Sequence, residues 1–373
     1  MSATGDFRLA MGDWLLPAVL VLMLGGCLPH SCAGTGPSRA LLPADSLSRR
    51  VARSVPMDTL RRVWRVEASD DAPLTFPRTA LFLQNKQGKD AALAVSDAQQ
   101  NALLFFSAKG QLTRTMRADS FAAPYLIGQR ADTLLVLSPK PRRIHFVAGG
   151  RVARSLTPNL PPPEEAPLLW ATAAEGSLFA KTIDPEGRAV VTRHGARGQG
   201  TARRALGRPR WHHAGPLRWW RDSLVSVSGF RPVTHRLPPS LNAARALRLT
   251  GFDSPMLPRT RQYARDDTRR PPLLMPDAAP AGARLFAINL RAGRLRIDAF
   301  GPGGRLTHRL TTPGPPRSQD VYPRALAVRR GPDGSYALAV ALTAPQPAVA
   351  LYRWRPDSTT DDRRPTAAVR SAR

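Results

Sequence analysis

The chain reads as an all-β protein, a six-bladed β-propeller closed by an N-terminal strand that completes the last blade. Three observations predict this. Short apolar runs rich in strand formers recur six times, at intervals of about 40–60 residues, the spacing of propeller blades. Each run comes as part of a set, with a partner strand beyond a turn and a further apolar piece before it. Finally, the last set is one strand short, while Arg61–Glu67 near the N-terminus has no partner of its own. Composition agrees: 37 prolines and 28 glycines suit many short strands joined by turns and disfavour long helices.

In chain order, the first feature is Trp14–Leu24, WLLPAVLVLML. It has the length of a signal-peptide apolar region and is shorter than the ~20 residues a spanning helix needs. Leu24-Gly25-Gly26-Cys27 follows at once. This resembles the lipobox of bacterial lipoproteins, in which the cysteine is acylated and becomes the mature N-terminus. The resemblance implies a signal peptide over residues 1–26, lipidation at Cys27 and a membrane anchor. Leu28 after the cysteine, where aspartate would favour inner-membrane retention, points to the outer membrane and a periplasmic or surface-facing position. Residues 27–60, rich in Ser, Pro, Ala and Arg, read as a flexible tether. Cys27 and Cys32 are the only cysteines, which excludes a disulfide framework and a zinc site of the usual ligand count.

The six template strands are Ala92–Val95, Thr133–Leu137, Ser177–Ala180, Ser223–Val227, Leu285–Asn289 and Tyr336–Val340. Their partners are Ala102–Phe106, Arg143–Val147, Arg188–Val191, Arg231–Arg236, Leu295–Phe300 and Ala348–Tyr352. Glycine turns such as Pro302-Gly303-Gly304 close several pairs, because glycine accepts the positive φ of a tight turn. The preceding inner pieces are Ala80–Leu83, Pro124–Ile127, Pro167–Ala171, Pro216–Trp220 and Ala325–Val328. For the fifth copy the inner piece is expected upstream, at Ala243–Leu249, ahead of an inserted loop over residues 253–282. The propeller spans 61–356 in this reading, and 357–373 is a tail. A β-sandwich or two smaller β-domains is the competing architecture, which the regular recurrence disfavours.

Phe105–Leu112 and Phe300–Leu306 share an aromatic-turn-glycine signature, and Tyr322–Val328 with Pro332-Asp333-Gly334 has the form of an inner hairpin. On these residues the chain resembles the six-bladed propellers of the NHL and TolB-like type, and in particular bacterial lipoproteins of that kind. That resemblance bears on fold; the family includes binding, scaffolding and enzymatic members.

The net charge is +28, nearly all of it arginine, since Lys86, Lys89, Lys109, Lys140 and Lys181 are the only lysines. Arginines are spread over the whole length without a long block. Two readings stay open: an arginine bias of the whole chain, or a surface selected for a polyanion.

Chemistry is sparsely signalled. His212-His213 match no metal spacing and read as a loop or strand-edge pair. Asp222-Ser223 with His235 contains the residue types of a nucleophilic triad, but Asp222-Ser223 falls where other copies have hairpin turns. Asp298, Arg296 and His308 read as outward-facing strand positions. Lactonase-like propellers, by resemblance, hold calcium through acidic residues of inner strands, yet the inner pieces here contain no Asp or Glu. They carry Arg218, Trp220, Trp170, Tyr125 and Arg324, which would suit an anionic or sugar-like ligand at a channel mouth. The alternative for the tryptophans is inter-blade core.

The expected function is therefore a lipid-anchored envelope module that binds or scaffolds without catalysis, with no cofactor or metal. Its partners would be the membrane, envelope proteins or an anionic polysaccharide; nucleic acid is not expected. The alternatives are a hydrolase or lyase at the channel mouth, drawing on loop acids such as Asp97, Asp320 or Asp333, and a polyanion-binding envelope protein.

Overall fold

The computed structural model describes residues 43–84, 93–166, 169–208, 210–263, 271–314 and 321–356. Cys27, Cys32, the signal segment 1–26 and the tail 357–373 lie outside them. Six sheets follow one another along the chain, each built on four antiparallel strands in meander order, and the fifth sheet carries one further, parallel strand. Their innermost strands are Pro77–Phe82, Tyr125–Arg130, Leu169–Ala174, Leu217–Trp220, Ala278–Ala281 and Tyr322–Arg330. Each inner strand lies beside that of the next sheet, and the sixth lies beside the first. The sheets are thus blades 1–6 of a closed ring. We call the face at which the inner strands begin the upper face.

Closure follows the expected route. Arg61–Glu67 pairs antiparallel with Ala348–Trp354 and becomes the outer strand of blade 6. Trp64 then pins this strand to blade 1, its Nε1 donating to the Ala108 carbonyl at 2.9 Å. Both chain ends of the ring gain a partner, and no blade is left with an unpaired strand edge at the seam.

The core consists of the seams between blades. In blade 5, Leu285 and Ala287 face the seam with blade 4, while Phe286 and Ile288 face the seam with blade 6. Successive side chains of a strand point to opposite faces, and here both faces are buried. This explains why the second strands read as unbroken apolar runs. It also corrects the expectation for Asp298, Arg296 and His308, which are all buried rather than outward-facing. Asp298 accepts from Arg296 at 2.8 Å and from Asn289 at 2.6 Å. Arg296 also reaches Asp253 at 2.6 Å.

Two further expectations are corrected. Residues Pro43–Leu60 are not a tether. Pro43–Ser54 form helix α1, whose Ser48, Val51 and Ala52 are buried at helical spacing on one face. Ser48 Oγ accepts the Gly251 N–H at 2.8 Å, and Val51 joins the seam of blades 4 and 5. Met57–Thr59 then adds a parallel edge strand to blade 5, and Leu60 is fully buried. The second correction concerns blade 5. Arg245–Arg248, within the stretch expected as its inner strand, is the outer strand of blade 4. The inner strand of blade 5 is Ala278–Ala281, inside the stretch expected as an inserted loop. The rest of that stretch contains the short helix α2, Leu257–Tyr263. An Ala-Ala-Pro-Ala strand carries little strand signal, but an innermost edge tolerates proline because one side of it makes no ladder bonds.

Candidate binding site at the upper channel mouth

Inner strands start at the upper face, so their first residues surround the channel there. In several blades a proline immediately precedes the residue that faces this mouth: Pro77-Arg78, Pro124-Tyr125 and Pro323-Arg324. Trp170 of blade 3 and Arg218 of blade 4 occupy the corresponding places, each the second residue of its strand. Blade 5 contributes Asp277, directly before its strand. Of the five residues expected at a mouth, Tyr125, Trp170, Arg218 and Arg324 are half-buried at the starts of their strands, and Trp170 also packs against the hydrophobic clusters between blades 3 and 4, the core role open to it from the sequence.

Trp220 is the exception and is corrected. It ends its strand, so it lies toward the lower face, where it is buried in the seam of blades 4 and 5. Its Nε1 donates to the Gly282 carbonyl at 2.9 Å. That is the core role open to it from the sequence.

The mouth divides into two halves of different electrostatics. In one, Arg218 pairs with the buried Asp277 and also donates to the Ala278 carbonyl at 2.9 Å. Asp277 further accepts the N–H of Ala278 at 2.8 Å and that of Leu326 at 2.9 Å, so one carboxylate ties blades 4, 5 and 6 together. Burial raises the Asp277 pKa, and Arg218 and the two N–H groups pull against it. Next to this, Lys181 of blade 3 is fully buried and donates to His213 O at 2.8 Å, Ser226 Oγ at 2.9 Å and Val227 O at 3.2 Å. Among the described residues no carboxylate accompanies it; burial, and then the Arg218 charge, hold its amine well below the ordinary lysine range. Its Nζ lies 5.2 Å from the Trp170 ring centroid.

His213 and His235 lie against one another beside this lysine, with ring centroids 5.0 Å apart and planes inclined at 56°. Burial, followed by neighbouring cationic and imidazole groups, pushes His213 down to about 3 and His235 down to about 4. His212 instead leaves the short 3₁₀ turn Arg210–His212 to meet Arg231 at 2.9 Å.

The other half is formed by blades 6, 1 and 2. The Arg78 guanidinium lies over the Tyr125 ring, 3.5 Å from its centroid, and donates to the Tyr125 hydroxyl and to Ala123 O, the latter at 3.1 Å. Ala123 has φ +47°, a conformation unfavourable for a residue with a Cβ. It is held by Asn101, whose side-chain oxygen accepts the Ala123 N–H at 2.7 Å. Arg324 lies over Phe76, 5.8 Å from its centroid, and makes no hydrogen bond or ion pair with the described residues. Burial, and secondarily the Arg324 charge, lower Arg78 to about 9.

The residues of the competing catalytic schemes do not converge. Ser223 Oγ donates to Asp222 at 3.0 Å in a lower-face turn, while His235 pairs with Ser226 nearer the upper face. Asp97 is buried and accepts four backbone N–H groups, from Thr75, Phe76, Gln99 and Gln100. Asp333 caps a lower-face turn through Ser335, and Asp320 lies outside the described residues. Among the described residues no three His, Cys, Asp or Glu side chains are grouped as metal ligands would be. Arg78, Lys181 and Asp277 carried no functional expectation from the sequence, and His213 was expected only as part of a loop or strand-edge pair; the proline before Arg78, as before Tyr125 and Arg324, would have pointed to it.

Comparison with known proteins places the fold. A streptogramin B lyase structure aligns over 80% of this chain and 89% of its own, with 11% identity and a TM-score of 0.50. A virginiamycin B lyase from Staphylococcus aureus covers 79% of this chain and 88% of its own at 12% identity and a TM-score of 0.47. A regucalcin from Agrobacterium tumefaciens gives 13% identity over 80% and 97%, with a TM-score of 0.48. At such identities the likeness is one of six-bladed propeller architecture. No family model matches the chain, and no curated protein matches it.

Proposed function

We propose that the protein is a lipid-anchored cell-envelope propeller that captures a ligand at its upper channel mouth and acts as a binding module rather than a catalyst. The observation that carries this reading is the mouth itself: five blades each place a cationic or aromatic side chain there, and Asp277, the one acid among the described residues at the starts of the inner strands, is consumed by structural bonds. Such a surface offers recognition by guanidinium pairing and ring contact, and the bonds that Asp277 makes leave it unavailable as a base. The lipobox-like Leu24–Cys27 motif supports the anchor. The outward arginines support a mouth ligand better than a polyanion wrapped on the wall. Exposed Arg114, Arg151, Arg203, Arg245 and Arg61 stand on the outer strands of five different blades and Arg305 directly before the Leu306–Thr311 strand of blade 5, encircling the ring instead of forming one face.

The test has two arms. Cys27→Ser should move the protein from the membrane to the soluble fraction; retention in the membrane sinks the anchor. Pull-down from detergent-solubilised envelope, comparing wild type with Trp170→Ala, should lose its specific partner or ligand when the mouth is altered. Identical recovery with both would move the binding surface elsewhere.

A further inference from the structure

Folding normally pairs a buried guanidinium with a carboxylate, because an uncompensated charge in a poorly hydrated site is costly. Blade 5 obeys that rule, with Arg296 held between Asp298 and Asp253. The corner of the mouth formed by blades 6, 1 and 2 breaks it. Arg78 has only neutral acceptors, Ala123 O and the Tyr125 hydroxyl, and its Nε is buried with no acceptor. Arg324 sits beside it without a hydrogen bond or ion pair among the described residues. Two like charges from different blades are brought together, and no carboxylate among the described residues pairs with either.

The corner is also built to stay in place. Asn101 and Ser138 fix the loop that presents Ala123 O, through the N–H groups of Ala123 at 2.7 Å and Ala122 at 3.1 Å. The loop accepts a left-handed Ala123 in doing so, a conformation that costs of order 1 kcal/mol and persists where the surroundings enforce it. Arg78 is thus positioned by a supported, strained carbonyl and a phenol. Neither partner neutralises it.

We propose that Arg78, Arg324 and Tyr125 form a binding site for a phosphate-type dianion carried by a molecule able to enter the upper mouth. Two guanidinium forks approach one anion from adjacent blades and match its two charges. The Tyr125 hydroxyl accepts from Arg78 and keeps its own proton to donate to an anion oxygen. Phe76 and Tyr125 provide aromatic walls behind the cations. This site rests on the reading of the upper mouth as the ligand surface and narrows it to one corner and one chemistry.

The experiment is thermal unfolding of the full chain in detergent, titrated with inorganic phosphate against chloride at matched ionic strength. Phosphate should raise the melting temperature saturably, as a ligand of the native state does, and chloride should not. Arg324→Gln should melt no lower than wild type without anion, since it relieves repulsion and breaks no bond, yet its phosphate affinity should fall about tenfold or more. Tyr125→Phe should weaken phosphate to a smaller extent. Malonate, a dianion with its charge on two carboxylates, should bind about tenfold more weakly than phosphate. Equal phosphate and chloride curves, or an Arg324→Gln variant that responds like wild type, would overturn the site. Malonate binding as tightly as phosphate would overturn the phosphate assignment. If phosphate has no effect but Trp170→Ala still abolishes envelope capture, this corner is wrong while the mouth reading stands.

Discussion

Replacing Asp277 with alanine removes the one carboxylate that joins three blades, and the consequences can be counted from its partners. The Arg218 guanidinium loses its ion pair but keeps the Ala278 and Leu217 carbonyls at 2.9 and 3.1 Å. The N–H groups of Ala278 and Leu326 lose their acceptor inside the ring, where Asp277 side-chain exposure is only 6%. Breaking a buried ion pair costs about 3–5 kcal/mol, and an orphaned buried donor about 1–3 kcal/mol. Arg218 is 26% exposed and keeps two acceptors, so its share falls at the low end. With the two N–H groups added at about 1 kcal/mol each, a total loss of about 5 kcal/mol is expected. Urea denaturation followed by circular dichroism measures it. Adding Arg218→Met to Asp277→Ala should recover part of the loss, because the second change removes the stranded charge; the double-mutant cycle isolates that coupling. An Asp277→Ala variant within about 1 kcal/mol of wild type would refute the idea that this carboxylate latches the ring.

Other outcomes follow from the same geometry. Gly110→Ala should cost clearly more than Gly149→Ala in thermal melts: both have positive φ, +83° and +59°, but a Cβ at Gly110 would come 2.7 Å from Trp64, whereas at Gly149 it meets nothing within 4 Å. Backbone strain alone is worth about 1 kcal/mol, so equal losses would show that Trp64 does not press on this turn. Stability should fall as pH drops from about 6.5, the unfolded-chain histidine value. His213 and His235, at about 3 and about 4 in the fold, stay neutral while the unfolded chain takes up their protons. His213→Gln with His235→Gln should flatten that slope, and an unchanged slope would remove these rings as its source.

The blade repeat was legible because second and third strands are buried on both faces. Runs such as Ala102–Phe106 and Leu285–Ile288 leave little else for the chain to be. The inner strand of blade 5 was not legible. Innermost strands crowd the axis and favour small residues, so Ala278–Ala281 lost the aliphatic signal that marks strands elsewhere, while Arg245–Arg248 kept enough to mislead. Helix α1 was hidden for a related reason. Its buried face is Ser48, Val51 and Ala52 set among arginines, a pattern whose composition matches a tether. Mouth residues divided along burial. Tyr125 and Arg324 were visible at strand starts; Arg78 was overlooked although it follows Pro77 in the same way. Lys181 could not be found, because a lysine inside an apolar strand declares nothing until its three oxygen partners are in place.

The fate of individual charges separates the two readings of the +28 balance. An arginine bias acting on the whole chain places arginines wherever solvent or a nearby acid will receive them, and most follow that rule. Many on outer strands, such as Arg151, Arg203 and Arg245, are exposed, Arg188 pairs with Asp184, and Arg291 and Arg296 share Asp253. Bias does not account for cations that folding must hold against a penalty. Arg78 and Arg324 occupy the upper mouth with neutral neighbours and one another, and Lys181 is buried beside neutral oxygens and the Arg218 charge. A protein near its stability threshold retains such arrangements where function compensates for them. On this argument the arginines of the wall report composition. The unpaired cations of the mouth report selection, and the mouth is where substitution should change binding without the loss of fold that Asp277→Ala is expected to cause.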